Sequence, residues 1–152
     1  MTAKMHNTKF AGDQQNEAAI PRDVIGDAMS ELFEKGMAIR SELVGRQYVD
    51  QAFAGADDFS RPMQELVTEC CWGAIWGRPD LDRRSRSILN LGMLAALNRQ
   101  DELAGHIKIA LTNGLAKEEI RECFLQVACY AGMPAGMTAF KVARKVFDEL
   151  GI

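Results

Sequence analysis

The residues best suited to chemistry lie between Trp72 and His106. This segment begins with two tryptophans and an Arg-Pro pair, continues with three more arginines ahead of an apolar run of helical length, and ends on a histidine. Guanidinium groups can bind carboxylates through two parallel hydrogen bonds, and an imidazole can exchange a proton near neutral pH. The combination predicts a pocket for a small anionic substrate around one helix.

His106 is the first candidate for a catalytic group. Leu103 and Ala110 lie on the same face of the predicted helix, so the imidazole is expected to face inward, where desolvation would shift its pKa. Glu102 lies four residues earlier, within side-chain reach, and could orient and charge the ring. On spacing alone, a core histidine satisfied by a neighbouring carbonyl is the simpler interpretation.

Arginines provide candidate carboxylate-binding groups. Arg78 is the first choice because it stands at a helix end beside a proline, although it could instead bind the last carbonyls of that helix. Arg86 is expected to point toward the pocket or a subunit interface. Arg83 and Arg84 lie in a first helical turn, where the helix dipole disfavours cations, and are expected to be solvated.

Trp72 and Trp76 are four residues apart, which places both indoles on one face of a helix beside Arg78. They could shield a bound ring from water and so strengthen electrostatic interactions inside the pocket. Packing between helices or subunits is the simpler role for both.

Composition limits the class of protein. The chain has 152 residues, 47% of them apolar, which suits one domain with a buried core. A formal net charge of −3 with scattered basic residues argues against a nucleic-acid partner. No apolar run is long enough to cross a membrane, and the N-terminus lacks the apolar core of a secretory signal. We therefore expect a cytoplasmic protein without membrane association.

The cysteines and histidines suggest no metal or redox site. Cys70 and Cys71 are adjacent, and Cys123 and Cys129 are six residues apart on one predicted helix, so neither pair has the spacing of a normal disulfide. One internal histidine without a cysteine cluster cannot form a zinc site. We expect no metal and no cofactor, and interpret the cysteines as small buried side chains in a reducing compartment.

Hydrophobic periodicity predicts an all-α, single-domain bundle of about six or seven helices. Residues 1–20 are predicted to be a flexible arm, followed by a helical domain over residues 21–152. Helix ends are indicated by Asp82 or Ser85 as an N-cap, Asn113-Gly114 as a stop, a start near Lys117 and a break at Gly132-Met133-Pro134.

The same periodicity predicts which side chains are buried. The helix near residues 88–97 is apolar around most of its circumference and is expected to be central. For three other helices, the predicted buried positions are Ile25, Ala28, Met29, Leu32 and Phe33; then Phe59, Met63, Leu66, Val67, Cys70 and Ala74; and, in the last helix, Gly136, Phe140, Ala143, Phe147 and Leu150.

Longer segments resemble a known family. They are FEKGMAIRSELVG, WGAIWGRPDLDRRSRSILNLGMLAALNR, DELAGHIKIALTNGLAKEEIRECFLQVACYAGMPAG and VARKVFDELG. Over roughly residues 29–152 the chain resembles the carboxymuconolactone decarboxylase family of the alkylhydroperoxidase-like superfamily. The resemblance implies an all-helical subunit of a homo-oligomer, often a hexamer. It also implies cofactor-free decarboxylation of a lactone dicarboxylate to 3-oxoadipate enol-lactone in aromatic (protocatechuate) degradation.

The implied chemistry needs few protein groups, because an unsaturated lactone can itself accept the electron pair released with CO2. The protein must bind carboxylates, stabilise the developing enolate oxygen and allow a proton to reach carbon. The resemblance favours His106 for the enolate or the proton, with Glu102 beside it. Arg78 and Arg86 are expected to bind carboxylates, and Trp72 and Trp76 to enclose the ring.

Other activities remain as alternatives. The peroxidase chemistry of the superfamily requires a CxxC followed four residues later by histidine, but Arg99 and Glu102 occupy those cysteine positions here. Vicinal Cys70 and Cys71 are a poor substitute, so a thiol peroxidase is the least supported hypothesis. A non-catalytic helical oligomer that binds a small acid or a partner protein is the other alternative. A homo-oligomer is expected in either case, because so apolar a small bundle exposes surface that a second subunit can cover.

Overall fold

The structure, a computed structural model, describes residues 22–152, with side chains from residue 31 onward. The described residues form an all-helical bundle, as predicted. The predicted arm over residues 1–20 and the predicted buried side chains Ile25, Ala28 and Met29 lie outside the residues or side chains described. The elements are α1 (Arg22–Val44), α2 (Arg46–Ala54), α3 (Arg61–Leu66), a π-helix (Val67–Trp76) that continues α3, α4 (Arg83–Ala96), α5 (Gln100–Thr112), α6 (Lys117–Tyr130) and α7 (Met133–Leu150).

Local residue chemistry fixes several helix ends where the sequence predicts them. The Asp82 carboxylate accepts a 2.9 Å hydrogen bond from the backbone N–H of Ser85 and one from its hydroxyl, which caps α4. These bonds lower the pKa of Asp82. Gly114 (φ 86°) and Gly132 (φ 105°) adopt left-handed conformations that end α5 and separate α6 from α7.

Two clusters of buried side chains make up the core. The larger cluster joins α4, α5, α6 and α7, and its fully buried members include Leu91, Leu103, Ile107, Ile120 and Phe124. The smaller cluster contains Ile39, Leu43, Trp72, Trp76 and Ile109, and joins α1 and the π-helix to α5. Because α5 contributes to both clusters, it holds the two halves of the bundle together.

The backbones of α1 and the π-helix are in direct contact. A Cβ atom added at Gly36 would overlap the carbonyl oxygen of Thr68, and one added at Gly73 would overlap the carbonyl oxygen of Leu32. Glycine at both positions is therefore required for this approach, since any side chain would push the helices apart.

A buried arginine adds a polar connection at the same interface. Arg40 of α1 donates 2.8 Å hydrogen bonds to the Thr68 hydroxyl and to the Gln64 side-chain carbonyl, and its guanidinium lies 5.8 Å from the centre of the Phe53 ring. Burial lowers the pKa of Arg40. Arg40 thereby connects α1 to α2, α3 and the π-helix, a role that was not predicted from the sequence.

The predicted buried stripe of the helix near residues 60–76 is wrong in most positions. Phe59 is 93% exposed, and Met63, Leu66 and Cys70 are also exposed. Phe59, Met63 and Leu66 precede the π-helix, and α3 buries none of its residues. From Val67 onward the i→i+5 hydrogen bonds of the π-helix give a wider turn than an α-helix. The buried residues of the π-helix are Thr68, Trp72 and Trp76, which are four residues apart, together with Gly73.

The expected burial of α4 and α7 also needs correction. The buried residues of α4 are Ser87, Leu91 and Ala95, whereas Ile88, Leu89, Met93 and Leu97 are exposed because only one side of the helix meets α5 and α6. In α7, Gly136 and Ala143 are buried as predicted. Ala139 and Val146 are also buried, whereas Phe140 and Leu150, which were expected to be buried, are exposed. The close approach of Gly136 to Ala128 leaves room for small residues only, which moves the larger ones to the flanks.

The four cysteines are free thiols, but they are not uniformly buried. Cys70, Cys71 and Cys129 are exposed, so their interpretation as buried side chains is wrong. Cys123 is half-buried, and desolvation raises its pKa. Across residues 22–152, no helix combines the length and apolar character needed to cross a membrane.

The contact between α1 and the π-helix predicts opposite effects for two glycine substitutions. Gly36→Ala should lower the free energy of unfolding by about 1–3 kcal/mol or more, because the added methyl group meets backbone. Gly92 lies within α4 and has open space around it, so Gly92→Ala should raise the free energy of unfolding by about 0.5–1 kcal/mol. Urea unfolding at one fixed protein concentration measures both. Equal stability of Gly36→Ala and the parent chain would contradict the direct contact.

Candidate active site

Three aromatic rings stack where the π-helix meets α5. The rings of Trp72 and Trp76 lie 5.3 Å apart between centroids, at an interplanar angle of 28°. The His106 ring lies 6.5 Å from Trp72, almost parallel to it at 3°, and 6.2 Å from Trp76 at 27°. The imidazole is therefore next to both indoles, and aromatic surface replaces water on that side.

The geometry of the π-helix produces this arrangement. Trp72 and Trp76 are four residues apart, so the wide turn of the π-helix places both on the same side. Ile39 and Leu43 of α1 and Ile109 of α5 bury them there. His106 lies on α5 three residues before Ile109, on the side that faces the indoles. The structure thus brings together the two tryptophans and the histidine that the sequence singled out.

Asn90 of α4 is the polar partner of the histidine. Its side-chain nitrogen Nδ2 lies 3.4 Å from Nδ1 of His106, and both residues are half-buried. With the amide in this orientation, the N–H group donates and Nδ1 accepts, which places the proton of a neutral imidazole on Nε2. The second ring nitrogen then carries an N–H that can donate to a ligand.

Burial sets the protonation state of His106. Desolvation lowers the pKa of His106 below its ordinary value of 6.5, and the negative charge of Glu102 raises it by less. The ring is therefore neutral near neutral pH. Glu102 is exposed and acts on the ring through its charge, while the hydrogen bond in the described part of the chain comes from Asn90.

The two arginines predicted to bind carboxylates lie next to the site rather than within it. Arg78 is exposed, and its Nη2 lies 2.8 Å from Oδ2 of Asp80. Arg86 donates from Nε to the carbonyl oxygen of Leu81 at 3.1 Å, and its Nη2 lies 3.5 Å from the carbonyl oxygen of Arg78. Both arginines therefore surround the loop between the π-helix and α4. Neither guanidinium is hydrogen-bonded to His106 among the described residues.

The remaining arginines of this region form ion pairs at the surface. Arg83 pairs with Glu42 of α1 at 2.7 Å, and Arg84 pairs with Glu119 of α6. Such pairs contribute about 0–1 kcal/mol each to stability. Their main effect here is to connect the start of α4 to two other helices, in agreement with the expected solvated positions.

Asn90 is the polar contact of His106 that sequence reasoning missed. The signal was present, because Asn90 is the polar residue within the apolar run from Ile88 to Leu97. A buried polar side chain needs a hydrogen-bonding partner, and His106 on the neighbouring helix provides it. Among the described residues, no group of three or more histidine, cysteine or acidic side chains could hold a metal ion.

Comparison with known proteins gives consistent matches. The model of the carboxymuconolactone decarboxylase family matches residues 61–145. A 4-carboxymuconolactone decarboxylase of Acinetobacter baylyi is 36% identical over 120 residues, which cover 79% of this chain and 90% of the relative. A nitrosuccinic acid decarboxylase of Metarhizium robertsii is 40% identical over 119 residues, covering 78% and 83%.

A third relative, an uncharacterized 15.0 kDa protein of Paracoccus denitrificans, is 28% identical over 134 residues, which cover 81% of this chain and 96% of the relative. The family match spans more than half of the chain and includes Trp72, Trp76, Asn90 and His106. The two relatives with named activities are both decarboxylases. The chain therefore belongs to the carboxymuconolactone decarboxylase family and is a carboxy-lyase of that family.

Proposed function

We propose that this chain decarboxylates 4-carboxymuconolactone, or a closely related lactone or keto acid, to 3-oxoadipate enol-lactone in protocatechuate degradation. The observation that supports the proposal most directly is the position of His106, whose ring lies next to two indoles and 3.4 Å from Asn90. Similarity to the Acinetobacter baylyi relative over 90% of its length supports the choice of substrate.

The reaction can be written without an external electron acceptor. The bond between the γ-carbon and the departing carboxylate breaks, and its electron pair moves through the C=C bond to the lactone carbonyl oxygen. CO2 leaves, and the resulting enolate takes a proton at the carbon next to the carbonyl, which shifts the double bond and gives the enol-lactone. The lactone therefore supplies the electron sink that a cofactor would otherwise supply.

His106 is suited to stabilise the enolate oxygen. A neutral imidazole with its proton on Nε2 donates a hydrogen bond where negative charge develops. It is too weak an acid to lose this proton to the substrate carboxylates. Trp72 and Trp76 keep water away from one side of this contact, which strengthens it. Solvent then supplies the proton that reaches carbon.

The substrate carboxylates require cations near the indoles. Arg78 follows Trp76 by two residues and is exposed, so its guanidinium can exchange Asp80 for a substrate carboxylate. Arg86 supports the same loop from α4 through the carbonyls of Leu81 and Arg78. In this proposal Arg78 binds the retained carboxylate, Arg86 holds the loop in place, and Glu102 adjusts the pKa of His106.

A second candidate substrate is nitrosuccinic acid, which the similarity to the Metarhizium robertsii relative favours. A nitro group can accept the electron pair released with CO2, as the unsaturated lactone does. The same N–H donor could then stabilise a nitronate oxygen. Assays with both compounds under identical conditions decide between them by the larger kcat/KM.

We also propose that the chain forms a homo-oligomer. Leu89, Met93 and Leu97 form an apolar stripe on the outer side of α4 with exposures of 54%, 44% and 69%. A second subunit that covers this stripe would bury it. Light scattering should give a mass that is a multiple of 16.8 kDa and that falls for the double variant Leu89→Lys/Met93→Lys. A monomer at micromolar concentration would contradict the proposal.

Replacement of His106 tests the proposed role directly. His106→Phe keeps an aromatic ring in the stack but removes the N–H, so kcat for 4-carboxymuconolactone should fall by about 10²–10³-fold. Release of CO2 and formation of the enol-lactone provide the assay. Cys70→Ser, which removes an exposed thiol from the π-helix, should leave the rate unchanged. Full activity of His106→Phe would exclude the imidazole from the reaction.

The acid side of the pH profile follows from the lowered pKa of His106. Because the neutral ring is the active form, kcat/KM should be retained at neutral pH and fall only when the pH drops through the lowered pKa. Glu102→Gln removes a charge that raises this pKa, so the fall should move to still lower pH. A shift of the profile to higher pH in Glu102→Gln would contradict this account.

A further inference from the structure

We infer that Lys35 of α1 is a second cation of the active site and that it binds the retained carboxylate of the substrate together with Arg78. The inference rests on the proposed function, because it assigns a role within the same decarboxylation. It adds a residue of another helix to the site and fixes the end of the site at which the substrate is anchored.

The side chain of Lys35 lies against the end of the π-helix. A Cβ atom added at Gly77 would be 2.4 Å from Cε and 2.8 Å from Nζ of Lys35. Gly77 directly follows Trp76 and directly precedes Arg78. Lys35 also lies four residues before Ile39, on the face of α1 that packs against the indoles. Its ammonium group therefore lies beside the backbone that joins Trp76 to Arg78.

Lys35 is an exposed cation without an acidic partner. In the part of the chain whose side chains are described, it takes part in no ion pair, and neither Glu31 nor Glu34 on the same helix is within ion-pair distance of it. Arg78 is paired with Asp80, so these three groups beside the π-helix leave one positive charge unbalanced. The carbonyl end of a helix also attracts a cation, which makes stabilisation of the π-helix the competing role for Lys35.

The chemistry of decarboxylation indicates which carboxylate the cations bind. Both candidate substrates carry one carboxylate that leaves as CO2 and one that is retained. An ion pair with the departing group would stabilise the substrate more than the transition state, because that charge moves toward the electron-accepting group as the bond breaks. The retained carboxylate keeps its charge throughout, so binding it does not slow the reaction. Lys35 and Arg78 are thus suited to the retained group, which leaves the departing group nearer the indoles.

Tryptophan fluorescence tests carboxylate binding without turnover. Trp72 and Trp76 are the two tryptophans of the chain, so the signal reports on this site. The probe is succinate, which has two carboxylates and no group that accepts an electron pair. At constant ionic strength succinate should bind more tightly than succinamide, which has the same skeleton without the charges.

Three lysine variants separate a specific contact from general attraction. Lys35→Met keeps an aliphatic chain over Gly77 but removes the charge, so it should weaken succinate binding by about three- to tenfold. It should not change the affinity for succinamide. Lys35→Arg restores the charge and should bind succinate within about twofold of the parent chain. Lys141→Met, which removes an exposed lysine of α7, should bind succinate as the parent does.

Steady-state kinetics distinguish the retained carboxylate from the other possible contacts of Lys35. With whichever candidate substrate is decarboxylated, Lys35→Met should raise KM by about three- to tenfold and leave kcat unchanged. A contact with the departing carboxylate would instead give a higher kcat in this variant. A purely structural role at the end of the π-helix would lower kcat and the midpoint of urea unfolding together.

Four results would overturn the inference. They are no saturable fluorescence change of the parent chain with millimolar succinate, equal succinate affinity of Lys35→Met and the parent, the same loss of affinity in Lys141→Met, and a change in kcat in place of KM. If neither candidate substrate is decarboxylated, the proposed function fails, but the succinate titrations still decide whether Lys35 binds a carboxylate.

Discussion

Direct backbone contact between α1 and the π-helix is the constraint on which the site depends. Gly36 and Gly73 allow each helix to touch a carbonyl oxygen of the other, and Arg40 ties the same interface to Thr68 and Gln64. With the π-helix held in this position, Trp72 and Trp76, which are four residues apart, both face α5. The position of the indoles is therefore a consequence of two glycines that carry no chemistry of their own.

The electrostatics of His106 follow from this packing. Indole rings replace water on one side of the imidazole, and the resulting desolvation outweighs the nearby charge of Glu102. A histidine that stays neutral can donate a hydrogen bond from Nε2 while Asn90 occupies Nδ1. Decarboxylation of an activated acid needs little more than such a donor and an enclosed site, because the substrate itself accepts the electron pair.

Sequence reasoning succeeded where the determinants are local. The Asp82 cap and the turns at Gly114 and Gly132 depend on neighbouring residues, and each was found at its predicted position. The proximity of Trp72, Trp76 and His106 was also anticipated, because unusual residue types concentrate in that segment.

Sequence reasoning failed where the outcome depends on packing between distant segments. The predicted stripe from Phe59 to Ala74 assumes one regular α-helix, but α3 buries none of its residues and a π-helix with a wider turn follows it from Val67 onward. Asn90 lies within an apolar run of the sequence, and its partner His106 lies on another helix, which local spacing does not reveal. The side chain of Arg78 could not be placed from the sequence, since Asp80 and the loop geometry decide its direction.

The most direct test of the account is an NMR titration of the His106 ring, with ¹H–¹⁵N correlations that report both its pKa and its tautomer. The account predicts a pKa below 6.5 and, at neutral pH, a neutral ring with the proton on Nε2. A pKa at or above 6.5, or a proton on Nδ1 at neutral pH, would contradict it.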